Sequence, residues 1–183
     1  MLVAVVGPSG AGKDTLMEAA RARLAGDARF RFVRREITRP AKAGGEDHAP
    51  VDAATFAARR ASGAYALAWE AHGLGYGIPA DIARDIAAGR VVIANLSRAV
   101  LAEAARRFPL LLIEITAPAE VLARRLAARG REDAADIARR LARRLDLPDG
   151  IVVERVVNDG SVEEGVAKLL AALNRAAESA RRA

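Results

Sequence analysis

The apolar run Leu2-Val3-Ala4-Val5-Val6 leads straight into Gly7-Pro8-Ser9-Gly10-Ala11-Gly12-Lys13-Asp14-Thr15, and this junction constrains the chain more than any other feature. A buried strand followed by a glycine-rich turn and a Lys is the sequence form of a phosphate-binding loop, or P-loop. Glycines at 7, 10 and 12 let successive backbone N–H groups curl around an anion without Cβ clashes, and Lys13 adds a point charge. A helix must follow, so that its positive end faces the same anion. Thr15–Leu24 supplies one: it holds no Gly or Pro and repeats apolar residues at Leu16, Ala20 and Leu24. The spacing Gly-x4-Gly-Lys in this context implies a bound nucleoside triphosphate.

One position departs from the usual form. A hydroxyl residue commonly follows the Lys and meets Mg2+, but here Asp14 stands there and the hydroxyl moves to Thr15. A carboxylate is a hard oxygen ligand suited to Mg2+, so Asp14 is the candidate metal residue. Its plainer role is a favourable negative charge at a helix N-terminus.

The rest of the chain alternates. Phe30–Ile37, Val91–Ala94, Leu110–Ile115 and Ile151–Val157 read as further strands, and Leu110-Leu111-Leu112-Ile113 lacks alternation, as a strand covered on both faces would. Helical patterns fill Asp81–Ala88, Ser97–Arg107, Pro118–Arg129, Ala134–Leu145 and Val162–Ala180. The last opens on the capping-box pattern Ser161-Val162-Glu163-Glu164 and carries Val162, Val166, Leu169 and Leu173 on one stripe. This order predicts an α/β fold, a parallel sheet with helices on both sides, in a single domain. Thr38–Ile78 breaks the alternation. It gathers both His, the single Trp and both Tyr, and reads as an insertion over the carboxyl ends of the strands, where acceptors bind.

Composition narrows the partners. The net charge of +6 comes almost wholly from Arg, because the lysines are only Lys13, Lys42 and Lys168. Aromatics make up 4% and are not interleaved with the arginines, which argues against nucleic acid and toward small polyanions. With no Cys there is neither a disulfide nor a thiolate metal site. Met1 leads directly into the first strand and no stretch approaches the ~20 apolar residues that span a bilayer. A cytoplasmic protein without membrane contact is expected. The sequence sets no oligomeric state; a homodimer is one arrangement it allows.

These motifs resemble the guanylate-kinase-like group of P-loop phosphotransferases: the loop itself, Ile37-Thr38-Arg39-Pro40, Arg125-Leu126 with Arg129-Gly130, and Asn158-Asp159. Within that group the chain is most similar to the ribose 1,5-bisphosphate phosphokinases. Gly12-Lys13-Asp14-Thr15, Gly45-Glu46-Asp47-His48, Leu67-Ala68-Trp69-Glu70-Ala71-His72-Gly73-Leu74-Gly75-Tyr76-Gly77, Asn95-Leu96-Ser97-Arg98 and Arg129-Gly130-Arg131-Glu132 carry that likeness. It implies a three-layer P-loop fold with a five-stranded parallel sheet, an acceptor-binding subdomain near 38–78 and an arginine-bearing lid near 125–140. It also implies ATP, Mg2+ and a sugar-phosphate acceptor.

The residue roles follow from the resemblance. Lys13, Arg125 and Arg129 would neutralise charge on the transferred phosphoryl. Gly7 to Thr15, Arg131 and Asn158 would hold the nucleotide. Arg39, Lys42, His48, His72 and Arg98 would meet acceptor phosphate or hydroxyls, as would Arg140. Glu46, Asp47 and Asn95 would orient hydroxyls or metal-bound water, with Trp69 and Tyr76 as pocket wall. Guanylate kinases place an acidic residue just before the Trp to read guanine; Ala68 stands there, so a base edge would lose its partner. A nucleoside monophosphate kinase with another base reader, and a non-catalytic binding module of this group, stay open on the residues alone.

Overall fold

The computed structural model describes residues 1–40, 47–127 and 150–182. Its core is a five-stranded, all-parallel sheet built from β1 (Leu2–Val6), β2 (Phe30–Phe32), β7 (Val91–Asn95), β8 (Leu110–Thr116) and β9 (Val152–Val157), in the spatial order β2-β7-β1-β8-β9. β1 lies at the centre, in register with β7 through Leu2↔Val92 and with β8 through Leu2↔Leu110. The period of two along β1 sorts its side chains onto two separate cores. Val3 and Val5 join Leu16, Ile113, Ile115, Leu169 and Leu173 under α1 (Lys13–Arg23) and the C-terminal helix. Leu2, Ala4 and Val6 pack with Val92, Leu112, Leu101 and Ile82 on the opposite face. An unbroken apolar run is therefore the only pattern that satisfies both sides.

Helices α3 (Ile82–Ala87), α4 (Leu101–Arg107), α5 (Ala119–Ala127) and α6 (Val162–Ala180) add to these two faces, whereas α2 (Ala53–Ala61) packs on the strands Tyr65–Ala71 and Leu74–Pro79 of a second sheet. α6 starts on the expected capping box, with Glu164 N donating to Ser161 Oγ at 3.2 Å and Ser161 N to Glu164 Oε2 at 2.8 Å. Its buried stripe begins only at Gly165 and Val166, because Val162 sits in the first turn, outside the packed face. α4 begins as a 3-10 turn, Arg98–Val100, so the expected helix from Ser97 is α-helical only from Leu101. The helix expected at Ala134–Leu145 lies outside the described residues. Among the described residues no helix is long and apolar enough to cross a membrane.

Phe30–Ile37 is not one strand. Phe30–Phe32 pairs with β7 in the main sheet, and the chain leaves that sheet after Val33 donates to Ile93 O at 2.8 Å. Glu36–Ile37 (β3) then enters a second, mostly antiparallel sheet with β4 (Ala49–Pro50), β6 (Leu74–Pro79) and β5 (Tyr65–Ala71), ordered β4-β3-β6-β5. Arg34 and Arg35 occupy the crossing, where polar side chains face the gap between the sheets. β5 and β6 form a hairpin closed by His72 and Gly73, at φ 52° and 73°, a pair of left-handed residues that suits a two-residue turn. Gly75 and Gly77 lie within β6 rather than in a loop. Phe56 packs over the first, where a Cβ would fall 2.7 Å from its ring, and Tyr65 over the second. The two rings meet at 5.3 Å.

Candidate functional site

The loop between β1 and α1 is shaped by backbone conformation. Gly7, Gly10 and Gly12 have φ of 150°, 85° and 85°, which side-chain-bearing residues rarely adopt. A Cβ on Gly7 would collide with the carbonyl oxygen of Ile115 on β8, so the loop is pressed flat against the sheet end. Gly12 caps α1 in a left-handed conformation with no side-chain cap. The first-turn N–H groups of α1 have no intrahelical partners and lie beside the loop, as an anion site requires. Lys13 Nζ donates to Gly7 O at 2.8 Å and Pro8 O at 3.2 Å, which holds the ammonium against the turn.

Asn158, directly after β9, buttresses this turn. It is 5% exposed. Its Nδ2 donates to Ala11 O at 2.8 Å, and its backbone N donates to Thr116 O at 2.7 Å. Arg125 on α5 donates to Asn158 O at 3.1 Å. One residue thus ties the loop, the end of β8 and the arginine-bearing helix together. The sequence placed Asn158 on the nucleotide, whereas the structure shows its side-chain amide engaged with the loop backbone.

A cavity of about 420 Å3 opens beside the first turn of α1. Asp14, Thr15, Glu18 and Arg21 line it from the helix; Arg34, Arg35, Asp47 and Asn95 close it. Asn95 links the two sides: its Nδ2 donates to Asp14 Oδ1 at 3.4 Å, and its carbonyl accepts from Arg35 at 2.9 Å. The Arg35 guanidinium lies 5.5 Å from the Trp69 ring and 5.1 Å from the Tyr76 ring. Those rings stack on each other at 5.3 Å and 3°. Arg35 therefore carries fixed positive charge on an aromatic ledge between the two sheets. Asp47 accepts from two arginines, Arg34 at 2.9 Å and Arg21 at 3.1 Å. Behind the ledge, Tyr65 donates to Glu36 at 2.5 Å; burial and that bond push its phenol up to about 12, so it stays a neutral donor.

The expected residues divide. Asp14, Thr15, Asp47 and Asn95 meet in the cavity, and Trp69 and Tyr76 support its Arg35 wall. Half-buried Arg39 and buried His48 form a separate pair: Arg39 NH2 lies 3.3 Å from Nδ1, and Nε2 lies 3.1 Å from Arg39 O. A guanidinium only donates, so the ring proton is assigned to Nε2, which donates to that carbonyl. Among the described residues Arg39 Nε is buried without a partner. His72 lies elsewhere, exposed at the hairpin tip as a turn residue and outside the cavity lining. Arg98 opens the 3-10 turn that Ser97 caps and is also outside the cavity lining. Lys42, Glu46, Arg129, Arg131 and Arg140 lie outside the described residues. Among the described residues no group of three or more His, Asp or Glu is placed to hold a metal ion.

Arg21, Arg34 and Arg35 were missed by the sequence reading. Two signals pointed to them. Asp14, Glu18 and Arg21 stand at i, i+4 and i+7, one polar face of α1. Arg34-Arg35 interrupts an apolar run where no surface strand was needed.

No protein-family profile matches the chain. Individual relatives do. The ribose 1,5-bisphosphate phosphokinase PhnN of Methylobacterium radiotolerans is 50% identical over 176 residues, covering 94% of this chain and 96% of that protein. A bifunctional ribose 1,5-bisphosphokinase-thymidine phosphorylase of Azorhizobium caulinodans is 52% identical over 171 residues. That match takes in 92% of this chain but spans only 25% of the longer protein. In fold, the guanylate kinase of Anaplasma phagocytophilum superposes with a TM-score of 0.61 at 22% identity, over 96% of this chain and 85% of that one.

Proposed function

This chain belongs to the ribose 1,5-bisphosphate phosphokinase family, and we propose that it transfers the γ-phosphoryl group of ATP to the 1-phosphate of ribose 1,5-bisphosphate. The products are ADP and 5-phospho-α-D-ribose 1-diphosphate, and the cellular setting is phosphonate breakdown in the cytoplasm. One observation carries the reading: the P-loop and the arginine-lined cavity share helix α1, so donor and acceptor sites meet at Asp14 and Thr15.

The chemistry asks little of the protein beyond placement. An oxygen of the acceptor phosphate attacks the γ-phosphorus, and the bond from that phosphorus to the bridging oxygen breaks, leaving its electron pair on ADP. The attacking oxygen is already ionised at neutral pH, so no general base is required, and the cavity offers no His to act as one. Catalysis is then positioning and charge neutralisation. The loop amides bind the triphosphate and Lys13 holds a positive charge at the turn. Arg125, fixed on Asn158, supplies a second charge from α5; Arg129 extends that role and Arg131 helps hold the nucleotide. Asp14 and Thr15, exposed at the junction of the two sites, fit Mg2+, a hard cation that takes one or two carboxylates and keeps several waters. Bound there, Mg2+ would neutralise developing charge on the phosphoryl oxygens.

A coupled assay across ribose 1,5-bisphosphate, ribose 5-phosphate, GMP and AMP tests the assignment. With Ala68 unable to accept from a base edge, kcat/KM for the sugar bisphosphate should exceed that for GMP by about ten- to a hundredfold. Robust GMP turnover with no reaction of the sugar bisphosphate overturns it.

A further inference from the structure

We propose that Arg21 and Arg34 form a subsite for the acceptor's remote phosphate, the one that is not phosphorylated, and that the Asp47 carboxylate is a placeholder which this phosphate displaces. The inference rests on the function proposed above and specifies how the same cavity tells a bisphosphate from a monophosphate.

Three observations carry it. The first is reach. Asp14 and Arg21 both line the cavity from one face of α1, seven residues apart, which at 1.5 Å per residue is roughly 10 Å along the axis. The end at Asp14 adjoins the P-loop, so the accepting phosphate belongs there. A second phosphate on the same small sugar must project toward the other end, where Arg21 and Arg34 stand.

The second is convergence. Arg21 comes from α1 and Arg34 from the crossing between the sheets, yet both point at one carboxylate. Arg21 takes Oδ2 at 3.1 Å and Arg34 takes Oδ1 at 2.9 Å. Two guanidiniums gripping the two oxygens of one group is also the arrangement that holds two non-bridging oxygens of a phosphate. Glu18, bound to Arg21 at 2.8 Å, steadies that side chain from below.

The third is exchangeability. The Arg21, Arg34 and Asp47 side chains are 46%, 57% and 42% exposed. Ion pairs this open to water hold weakly, so a phosphate of greater charge competes well with a single carboxylate. Arg35, on its aromatic ledge and tied to Asn95, remains as the cavity's fixed cation.

The test pairs turnover with direct binding. Arg34→Gln and Arg21→Gln alter exposed side chains, so both variants are expected to fold, which thermal melting checks. Each should raise KM for ribose 1,5-bisphosphate about tenfold or more while kcat changes less than threefold. Calorimetric binding of ribose 5-phosphate, which keeps the remote phosphate and lacks the accepting one, should weaken by a similar factor. Asp47→Asn, which removes the competitor, should tighten that binding severalfold.

Unchanged KM and binding in both arginine variants, absence of ribose 5-phosphate binding to the wild type, or weaker binding in Asp47→Asn would each overturn the proposal. Failure of the two readings is separable. If wild-type protein makes no 5-phospho-α-D-ribose 1-diphosphate but its ribose 5-phosphate binding is lost in Arg34→Gln, the assigned reaction falls and the subsite stands. If wild type turns over normally and neither variant differs from it, the subsite alone falls.

Discussion

The P-loop and the arginine cavity both face α1, but they are made of different material. The loop is backbone: its shape comes from three glycines, its close contact from the Ile115 carbonyl, and its brace from Asn158. The cavity is side chain: Arg21, Arg34, Arg35 and Asp47 arrive from a helix, a sheet crossing and the strand approach to β4. Backbone sites are rigid and intolerant, because every atom that binds also belongs to the fold. Side-chain sites can be retuned one residue at a time. Damage should therefore spread from the loop and stay local in the cavity.

The sharpest way to break that contrast is Gly7→Ala. The new methyl has nowhere to go but into Ile115, and φ of 150° is unfavourable for Ala. Overpacking of this kind costs about 1–3 kcal/mol, and the loop cannot yield without losing its amide geometry. ATP binding should fall at least a hundredfold by calorimetry, with a lower melting temperature. Near-normal binding would show that the cradle is not made of fixed backbone.

Asn158→Ala should come next. It strips a partner from the buried Ala11 carbonyl, a loss of about 1–3 kcal/mol. Roughly tenfold weaker ATP binding, with KM for the acceptor unchanged, is the expected split. A loss shared equally by both substrates would mean that loop and cavity are not separable.

The smallest effect belongs to Arg35→Lys. Lys keeps the charge but loses the flat guanidinium that lies on Trp69 and Tyr76, about 0.5–1 kcal/mol at such a site. KM for the acceptor should rise severalfold and ATP binding should not change. An effect on ATP as large as that of Asn158→Ala would erase the distinction.

The same contrast explains what could be read from the chain itself. Glycine spacing reports backbone conformation, so β1, the loop and α1 were legible from residues 2–24, as was the Ser161–Glu164 cap. Five strands in a parallel sheet followed from apolar stretches alternating with helical patterns, and the unbroken run Leu110-Leu111-Leu112-Ile113 marked a strand covered on both faces. The crossing at Arg34-Arg35 was not legible, because Phe30–Phe32 and Glu36–Ile37 look like one strand until two different sheets claim them. The strands of Thr38–Ile78 were not legible either, because Gly75 and Gly77 fit a strand only under the rings of Phe56 and Tyr65, which come from elsewhere in the chain. Arg21 was obscured for a related reason: a polar helix face becomes a site only when another segment brings Asp47 to it.

The way the loop is finished has a consequence for how the protein comes into being. Gly7 rests on Ile115, and Ala11 is held by Asn158, so the first functional segment to be synthesised waits for one of the last. At about 5–20 residues per second, on the order of ten seconds separate Lys13 from Asn158 during synthesis. Within that interval β1 lacks β7 on one side until Val91–Asn95 is made and β8 on the other until Leu110–Thr116 follows. The second sheet closes within Glu36–Pro79 and needs no such wait. A growing chain should thus acquire an ordered β5–β6 hairpin well before it can hold a nucleotide, and a chain cut short of Asn158 would emerge with its phosphate loop written but unbraced.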